Sequence, residues 1–438
     1  MTIPPPPSTP GPHSSTVDFR ASSVGADGRP VWMRLGIFRG LPVETLEQLR
    51  SAMNEALYSP RDAIIKQGER GEEMFLLDRG SVKIRVHGKM ANTVFERVLT
   101  APALFGEMAL ITSEPRSASV HAETDARCLR LDRATFERVV GRNPQASVFL
   151  TKIVGERLME AGTINRVGKY EVCGRLGAGA VATVFEAEHP ELGQKVALKM
   201  LSHALVFHPG FADQFRTEAR LVASLSHPHI VRVLDTAQAY GTHFIVMEKL
   251  NGTLLEDIVE EGERLPWGMI RRICKEIALA LAYSHSKNLL HRDIKPSNVF
   301  LTEDRRVKIL DFGIAVSAES SASAGGHLLG TPYYMAPEQI LGQRLDGRAD
   351  LYALGVLAYE LCTHEVPFDA DTLDDLLRQH LSEPIPDPRL MEPDIPDDLV
   401  QFIEMATAKK PDDRFDSCGE AAAFLQTAAE LPLVRKLE

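Results

Sequence analysis

Between Ile37 and Asp132 the apolar residues come in short runs, AIIKQ, EMFLL, SVKIRV, TVFERVL, ASVHAE and CLRLD, set apart by polar turns. Gly68, Gly71, Gly80 and Gly88 punctuate them. Short strands at this spacing predict a small antiparallel barrel or roll. A short helix over Val43–Met53 leads in, and Ala134–Val140 and Gln145–Ala161 follow as helices. In the last of these Val148, Phe149, Ile153, Val154 and Leu158 recur at helical intervals. Ahead of all this, residues 1–30 (MTIPPPPSTPGPHSST and onward) are rich in Pro, Ser, Thr and Gly and predict a disordered tail. Residues 162–169 read as a short linker. From Tyr170 the pattern starts afresh with the strand-like runs YEVCGRL, ATVFEAEH and KVALKML. Helical patterns then occupy Phe211–Leu225, Trp267–Ser286, Ala349–Cys362, Leu373–Leu381, Asp398–Ala406 and Cys418–Ala429. A strand-rich start before a long helical remainder predicts an α+β pair of lobes. No internal repeat of about 20–50 residues interrupts this order.

Composition bounds the partners more than the fold. At 438 residues the chain is too long for one compact core, so a multidomain protein is expected. Asp and Glu outnumber Lys and Arg by 60 to 49, a net charge of −11 that argues against nucleic acid as the main partner. The five cysteines, Cys128, Cys173, Cys274, Cys362 and Cys418, are odd in number and show no CxxC spacing. They read as reduced thiols, not as a disulfide frame or zinc site. No apolar run approaches the roughly 20 residues needed to span a bilayer, and the N-terminus lacks a basic-then-apolar signal. A soluble, cytoplasmic protein with no membrane partner is expected.

The second half carries an ordered series of motifs. LGAGAVATV (Leu176–Val184) is a glycine loop between two strands, whose backbone N–H groups can approach phosphate oxygens. VALK ends in Lys199, and Glu218 follows 19 residues later on a helical pattern. HRDIKPSN comes next, and DFG places Asp311 18 positions after Asp293. Anionic phosphate oxygens need cations, and an attacking alcohol needs one positioned carboxylate. Taken singly each residue is unremarkable; together and in this order they resemble the eukaryotic-type (Hanks-type) protein kinases over residues 170–430. The resemblance implies a bilobal α+β kinase fold that uses ATP and Mg²⁺. It gives Asp293 the substrate hydroxyl, Lys295 the transferring phosphoryl charge, and Lys199, paired with Glu218, the ATP phosphates. It gives Asn298 and Asp311 the metal. ATP would be lined by Leu176, Gly177, Gly179, Val184, Ala197, Lys199, Met247, Glu248 and Leu250. The chain departs from the family pattern at Ala182, where a third glycine is usual. Lys295 and Thr331 resemble the Ser/Thr kinases, and KILDFGIA and APEQ the bacterial members. The resemblance further pairs Glu338 of GTPYYMAPE with Arg414, and sets Asp350 behind the catalytic loop. Because Arg292 precedes Asp293, it also points to phosphorylation of the segment holding Ser317, Ser320, Ser321, Ser323 and Thr331.

FGEMALITSEPRSASV (Phe105–Val120) is the corresponding stretch of the first half. Gly106 would open a short helix whose free N–H groups face an anion, and Arg116 would supply its charge partner. With the strands before it, this stretch resembles the phosphate-binding cassette of the cyclic-nucleotide-binding β-roll, covering residues 37–161. The implied pocket is Gly106, Glu107, Met108, Ala109, Arg116 and Ser117, with Glu107 accepting from the ribose 2′-hydroxyl. Serine at 117 is compatible with cyclic AMP and with cyclic GMP. Phe149, Arg157 and Met159 on the following helix are candidates to cap the base.

The expectation is therefore a Ser/Thr protein kinase acting on protein substrates and regulated by a cyclic nucleotide. The competing reading is a pseudokinase scaffold that senses the nucleotide and binds partners, although none of Lys199, Asp293, Asn298 or Asp311 is missing. A cyclic-nucleotide-responsive transcription factor is disfavoured, since the roll leads into kinase motifs and the chain is acidic. Oligomeric state is left open.

Overall fold

The computed structural model describes residues 30–35, 43–87, 94–108, 115–135, 138, 144–159, 165–178, 182–206, 211–312 and 332–430. The tail expected over 1–30, the helix expected at Ala134–Val140, Ala109, Gly179 and the five activation-segment hydroxyls lie wholly or largely outside these residues. The chain divides into two compact units, residues 1–164 and 165–438.

In the first unit α1 (Val43–Ala52) precedes eight strands and α2 (Pro144–Met159) follows them. The strands are β1 (Asn54–Tyr58), β2 (Ala63–Ile65), β3 (Glu73–Arg79), β4 (Ser81–His87), β5 (Val94–Thr100), β6 (Ala103–Phe105), β7 (Ser119–Ala122) and β8 (Ala126–Asp132). They form two antiparallel sheets, β1-β8-β3-β6 and β2-β7-β4-β5. The unbroken apolar run EMFLL is explained by its place in this stack. Met74 and Leu76 face a core shared with α1 and α2, while Phe75 and Leu77 face the core between the sheets. A strand covered on both faces loses the alternation of a half-exposed one. Gly80 turns β3 into β4 with φ 86°, and a Cβ there would lie 2.2 Å from Asp125 O, so only glycine fits. Trp32, in a 3₁₀ turn Val31–Arg34, is fully buried in the α1–α2 core with Leu46, Leu49 and Leu150. One tryptophan without a periodic neighbourhood leaves no pattern to read in the sequence.

The second unit opens with a six-stranded sheet of order β13-β14-β12-β11-β10-β9. Its strands are β9 (Arg166–Val167), β10 (Tyr170–Ala178), β11 (Ala182–His189), β12 (Gln194–Leu201), β13 (Val233–Ala239) and β14 (Thr242–Glu248). Helices α3 (His203–Val206) and α4 (Phe211–Ala223) interrupt it between β12 and β13. A small sheet β15 (Gly252–Leu254), β16 (Val299–Thr302) and β17 (Val307–Ile309) follows. The helical part comprises α5 (Leu255–Glu260), α6 (Trp267–Ser286), α7 (Pro337–Ile340), α8 (Gly347–Thr363), α9 (Leu373–Ser382), α10 (Asp397–Ala406) and α11 (Cys418–Glu430). From Ala349 to Cys362 every residue of α8 is buried, which makes it the axis of the helical part. No described helix is long and apolar enough to cross a membrane.

Residues 165–169, expected within a linker, are built into this sheet. Val167 pairs with Tyr170 and is fully buried, Val172 N–H donates to Asn165 O (2.6 Å), and the Tyr240 hydroxyl donates to Arg166 O. Gly168, at φ 58°, closes the hairpin. Two residues of strand are too few to show a period.

Candidate functional site

The HRD loop hangs from α8. Asp350, buried in its first turn, accepts from His291 N–H (2.8 Å), Arg292 N–H (2.6 Å) and His285 Nε2 (2.7 Å). Burial would raise the Asp350 pKa; His285 and the other donors outweigh it and hold the carboxyl below the usual range. Gly347 lets the His285 ring in, since a Cβ there would lie 2.4 Å from its Nδ1. Arg292 takes a left-handed φ of 66°, a strained conformation that two bonds to one carboxylate hold in place.

From this loop Asp293 projects a carboxylate whose Oδ2 takes Asn298 Nδ2 and Lys295 Nζ, each at 2.9 Å. Asn298 Nδ2 also donates to Asp293 O (2.7 Å), which leaves the amide oxygen as an acceptor. Leu310 N–H donates to Asn298 O (2.8 Å), bringing Asp311 alongside. Two such oxygen donors beside bound phosphate suit a hard divalent cation such as Mg²⁺. Asp311, at φ 57°, meets Lys199 Nζ through Oδ1 at 2.6 Å. The pair expected between Lys199 and Glu218 of α4 in the active state is not formed among the described residues, where Lys199 sits on Asp311. Phe211, Phe215, Ala219 and Val222 bury one face of α4 in the main core. Phe312 is buried edge-on against His291, which in turn bonds Leu310 O. The expected pair Glu338–Arg414 is present, doubly bonded at 2.7 and 2.9 Å and buried.

Of the residues expected around ATP, Ala197 and Met247 are register partners on β12 and β14, Val184 is partly buried on β11, and Leu176 is half-exposed on β10. Open space surrounds a Cβ built on Gly177. Leu250 packs against the main core. The Glu248 side chain is committed elsewhere, to Arg232 N–H (2.9 Å) and Lys308 Nζ (2.6 Å). Any contact it makes to a nucleotide is left to its backbone. Ala182 pairs with Leu201 at the start of β11.

In the first unit β6 delivers Gly106 and Glu107 to the other candidate pocket. Gly106 has φ 74°, and a Cβ on it would lie 2.8 Å from Ile65 Cδ1 and 2.9 Å from Arg116 Nη1. Arg116 spends its donors on Gly106 O and Glu73 O, 2.6 Å each, above the Phe75 ring. No ion pair to a carboxylate is present for it among the described residues. Burial lowers its pKa against the pull of Glu73 and Glu107, and a guanidinium stays ionised, so Arg116 keeps its charge beside Gly106. Met108 is partly buried and Ser117 is exposed. Glu107 is 3% exposed; its Oε1 accepts from Arg157 Nε at 2.6 Å, and its Oε2 is buried with no hydrogen-bond partner. Arg157, a candidate cap for the base, is thus held on Glu107 and on Leu104 O (3.1 Å). Met159 is 44% exposed, and the side chain of Phe149 lies outside the described residues.

Comparison with known proteins agrees with this geometry. A family described as protein kinase domain matches residues 170–426, and one described as cyclic nucleotide-binding domain matches residues 55–143. The chain is similar to the serine/threonine-protein kinase Pkn1 of Myxococcus xanthus, 38% identical over 269 residues, 60% of this chain and 38% of that protein. It is similar also to the serine/threonine-protein kinase PrkC of Bacillus subtilis, 32% identical over 262 residues, 60% of this chain and 40% of that protein. The chain thus spans about two fifths of the length of these relatives. Among solved structures, a double mutant of the Mycobacterium tuberculosis PknI kinase domain is 33% identical with a TM-score of 0.51, covering 60% of this chain and 97% of that one. The chain belongs to the protein kinase family, with a cyclic nucleotide-binding domain ahead of its kinase domain.

Proposed function

We propose that this protein transfers the terminal phosphoryl group of ATP to serine or threonine hydroxyls of proteins, and that cyclic AMP or cyclic GMP bound to the first unit regulates the transfer. The observation that carries the reading is the Asp293 carboxylate, held by Asn298 and Lys295 on a loop braced from behind by Asp350. Asp293 orients the substrate hydroxyl and accepts its proton. Lys295, 2.9 Å from it, offers positive charge where the phosphoryl group passes. Lys199, on β12, would meet the phosphates, and Asn298 and Asp311 would hold the metal. Mg²⁺-bound ATP supplies the phosphoryl group and neutralises part of its charge. Every residue whose loss would define a pseudokinase is in place, which favours catalysis over a scaffold.

Regulation rests on the Arg116 guanidinium, a partly buried cation beside a glycine whose left-handed backbone would strain any other residue. A cyclic phosphate is the anion that such a fork would take, with Glu107 on the ribose. ATP turnover on a generic peptide, with and without each cyclic nucleotide, tests both parts. Turnover lowered about 10²- to 10⁴-fold by Asp293→Asn supports the enzyme, and a rate that is flat across both titrations refutes the regulation.

A further inference from the structure

In the second unit the chain joining α4 to β13, the end of β14 and β17 enclose a cavity of about 420 Å³. Small-molecule sites are typically roughly 300–1,000 Å³, apolar with a few placed polar groups. Leu225, Pro228 and Ile230 give this one an apolar side, and Leu225 and Ile230 are buried. Its charged lining is cationic: Lys308 and Arg232 against the one carboxylate of Glu248, in a chain whose net charge is −11. Glu248 Oε1 is already taken by Lys308 Nζ (2.6 Å) and Arg232 N–H (2.9 Å). The Lys308 ammonium spends a second N–H on Ile230 O (3.3 Å), and its third has no partner among the described residues. Arg232 is exposed, and its guanidinium makes no ion pair among the described residues. His227, stacked on Tyr283, adds a neutral donor. Its Nδ1 accepts from His229 N–H (3.2 Å), which puts the ring proton on Nε2. Burial, with His229 and Lys308 beside it, lowers the His227 pKa and keeps the ring neutral near pH 7.

We infer that this cavity binds a small organic anion, a carboxylate or phosphate group carried on a compact apolar body. The anionic group takes the third Lys308 donor and the Arg232 guanidinium, with His227 Nε2–H as a further donor. The apolar body covers Leu225, Pro228 and Ile230. Both halves are needed: a bare inorganic ion leaves the apolar side wet, and a neutral apolar molecule would cover the cations without pairing them. The site shares no side chain with the Asp293 loop or with the cassette of the first unit. It therefore stands or falls separately from the proposed function.

The test titrates the full chain with phenyl phosphate and reads binding by calorimetry. Mg²⁺ with a non-hydrolysable ATP analogue, and cyclic AMP with cyclic GMP, are held in excess so that the other anion sites are filled. Wild type should bind with a Kd of about 1 mM or tighter, as expected of a ligand this small. Inorganic phosphate and phenol, each lacking one half, should bind roughly 10-fold more weakly or worse. Arg232→Gln keeps the backbone N–H that bonds Glu248, and Lys308→Gln keeps a donor to it. Each should weaken phenyl phosphate by roughly 10-fold or more, the worth of a hydrogen bond to a charged group. Arg232 is exposed, so its variant guards against a misfolded Lys308 variant. Phenyl phosphate that fails to bind wild type, or that binds either variant as tightly as wild type, overturns the site. Inorganic phosphate or phenol binding as tightly as phenyl phosphate overturns the ligand class.

Discussion

The Asp293 carboxylate meets an amide and an ammonium at 2.9 Å each, and neither bond can be read from the letters HRDIKPSN. The motif names the residues; the 3₁₀ turn Pro296–Asn298 brings the amide back onto the carboxylate. Asp293→Asn should lower turnover about 10²- to 10⁴-fold, the usual worth of a positioned base, while the thermal midpoint stays within a few degrees. Enzyme kinetics and calorimetry on the same preparation check this. Gly106 makes a sharper case in the first unit. Gly106→Ala places a methyl 2.9 Å from Arg116 Nη1 in a backbone at φ 74°, so nucleotide affinity should fall while β6 still pairs with β3. Calorimetric titration reads the first and circular dichroism the second.

Among the elements, α8 and α10 approach so closely that a Cβ on Gly355 would lie 2.7 Å from Thr407 Cγ2 and 2.8 Å from Ala406 Cβ. Overpacking of this kind costs about 1–3 kcal/mol, so Gly355→Ala should lower the urea midpoint without changing the slope. Two buried histidines make the same unit acid-sensitive. His203, bonded to Tyr240 O, and His380, bonded to the Tyr352 hydroxyl, have pKa values that burial depresses to about 4. Their folded values lie below the unfolded value near 6.5, so the unfolded chain binds more protons between the two. Stability is fully present above about 6.5 and declines as pH falls towards 4, by about 1.4 kcal/mol per pH unit for each histidine. Urea titrations across that window should show the decline, and His380→Gln should reduce its steepness. Periodicity foresaw α2, α4, α6 and α8 because long amphipathic or wholly apolar stretches repeat several times. It missed β13 to β17, where three to seven residues give too few repeats, and β9, whose two residues give none.

For the whole molecule the proposal is coupling between two units joined through the residues between Met159 and Asn165. Allosteric coupling is typically about 1–3 kcal/mol, so saturating nucleotide should change an effector-dependent affinity roughly 5- to 150-fold. By linkage, Mg²⁺-ATP with peptide should shift nucleotide affinity by the same factor, and binding isotherms measured both ways check the reciprocity. Unequal factors would show that the two measurements report different states.

The sequence by itself determined the order of the parts and the chemistry each can perform. Glycine loops, HRDIKPSN, DFG and FGEMALITSEPRSASV are local strings whose residue types are demanded by phosphate and proton chemistry wherever they sit. Tertiary structure alone decided the pairings: Lys199 with Asp311, His285 with Asp350, and Glu107 with Arg157 fifty residues away. The reason is physical. Which charges meet depends on how helices and sheets bury their apolar faces, and that is a property of the assembled core, not of any stretch of chain.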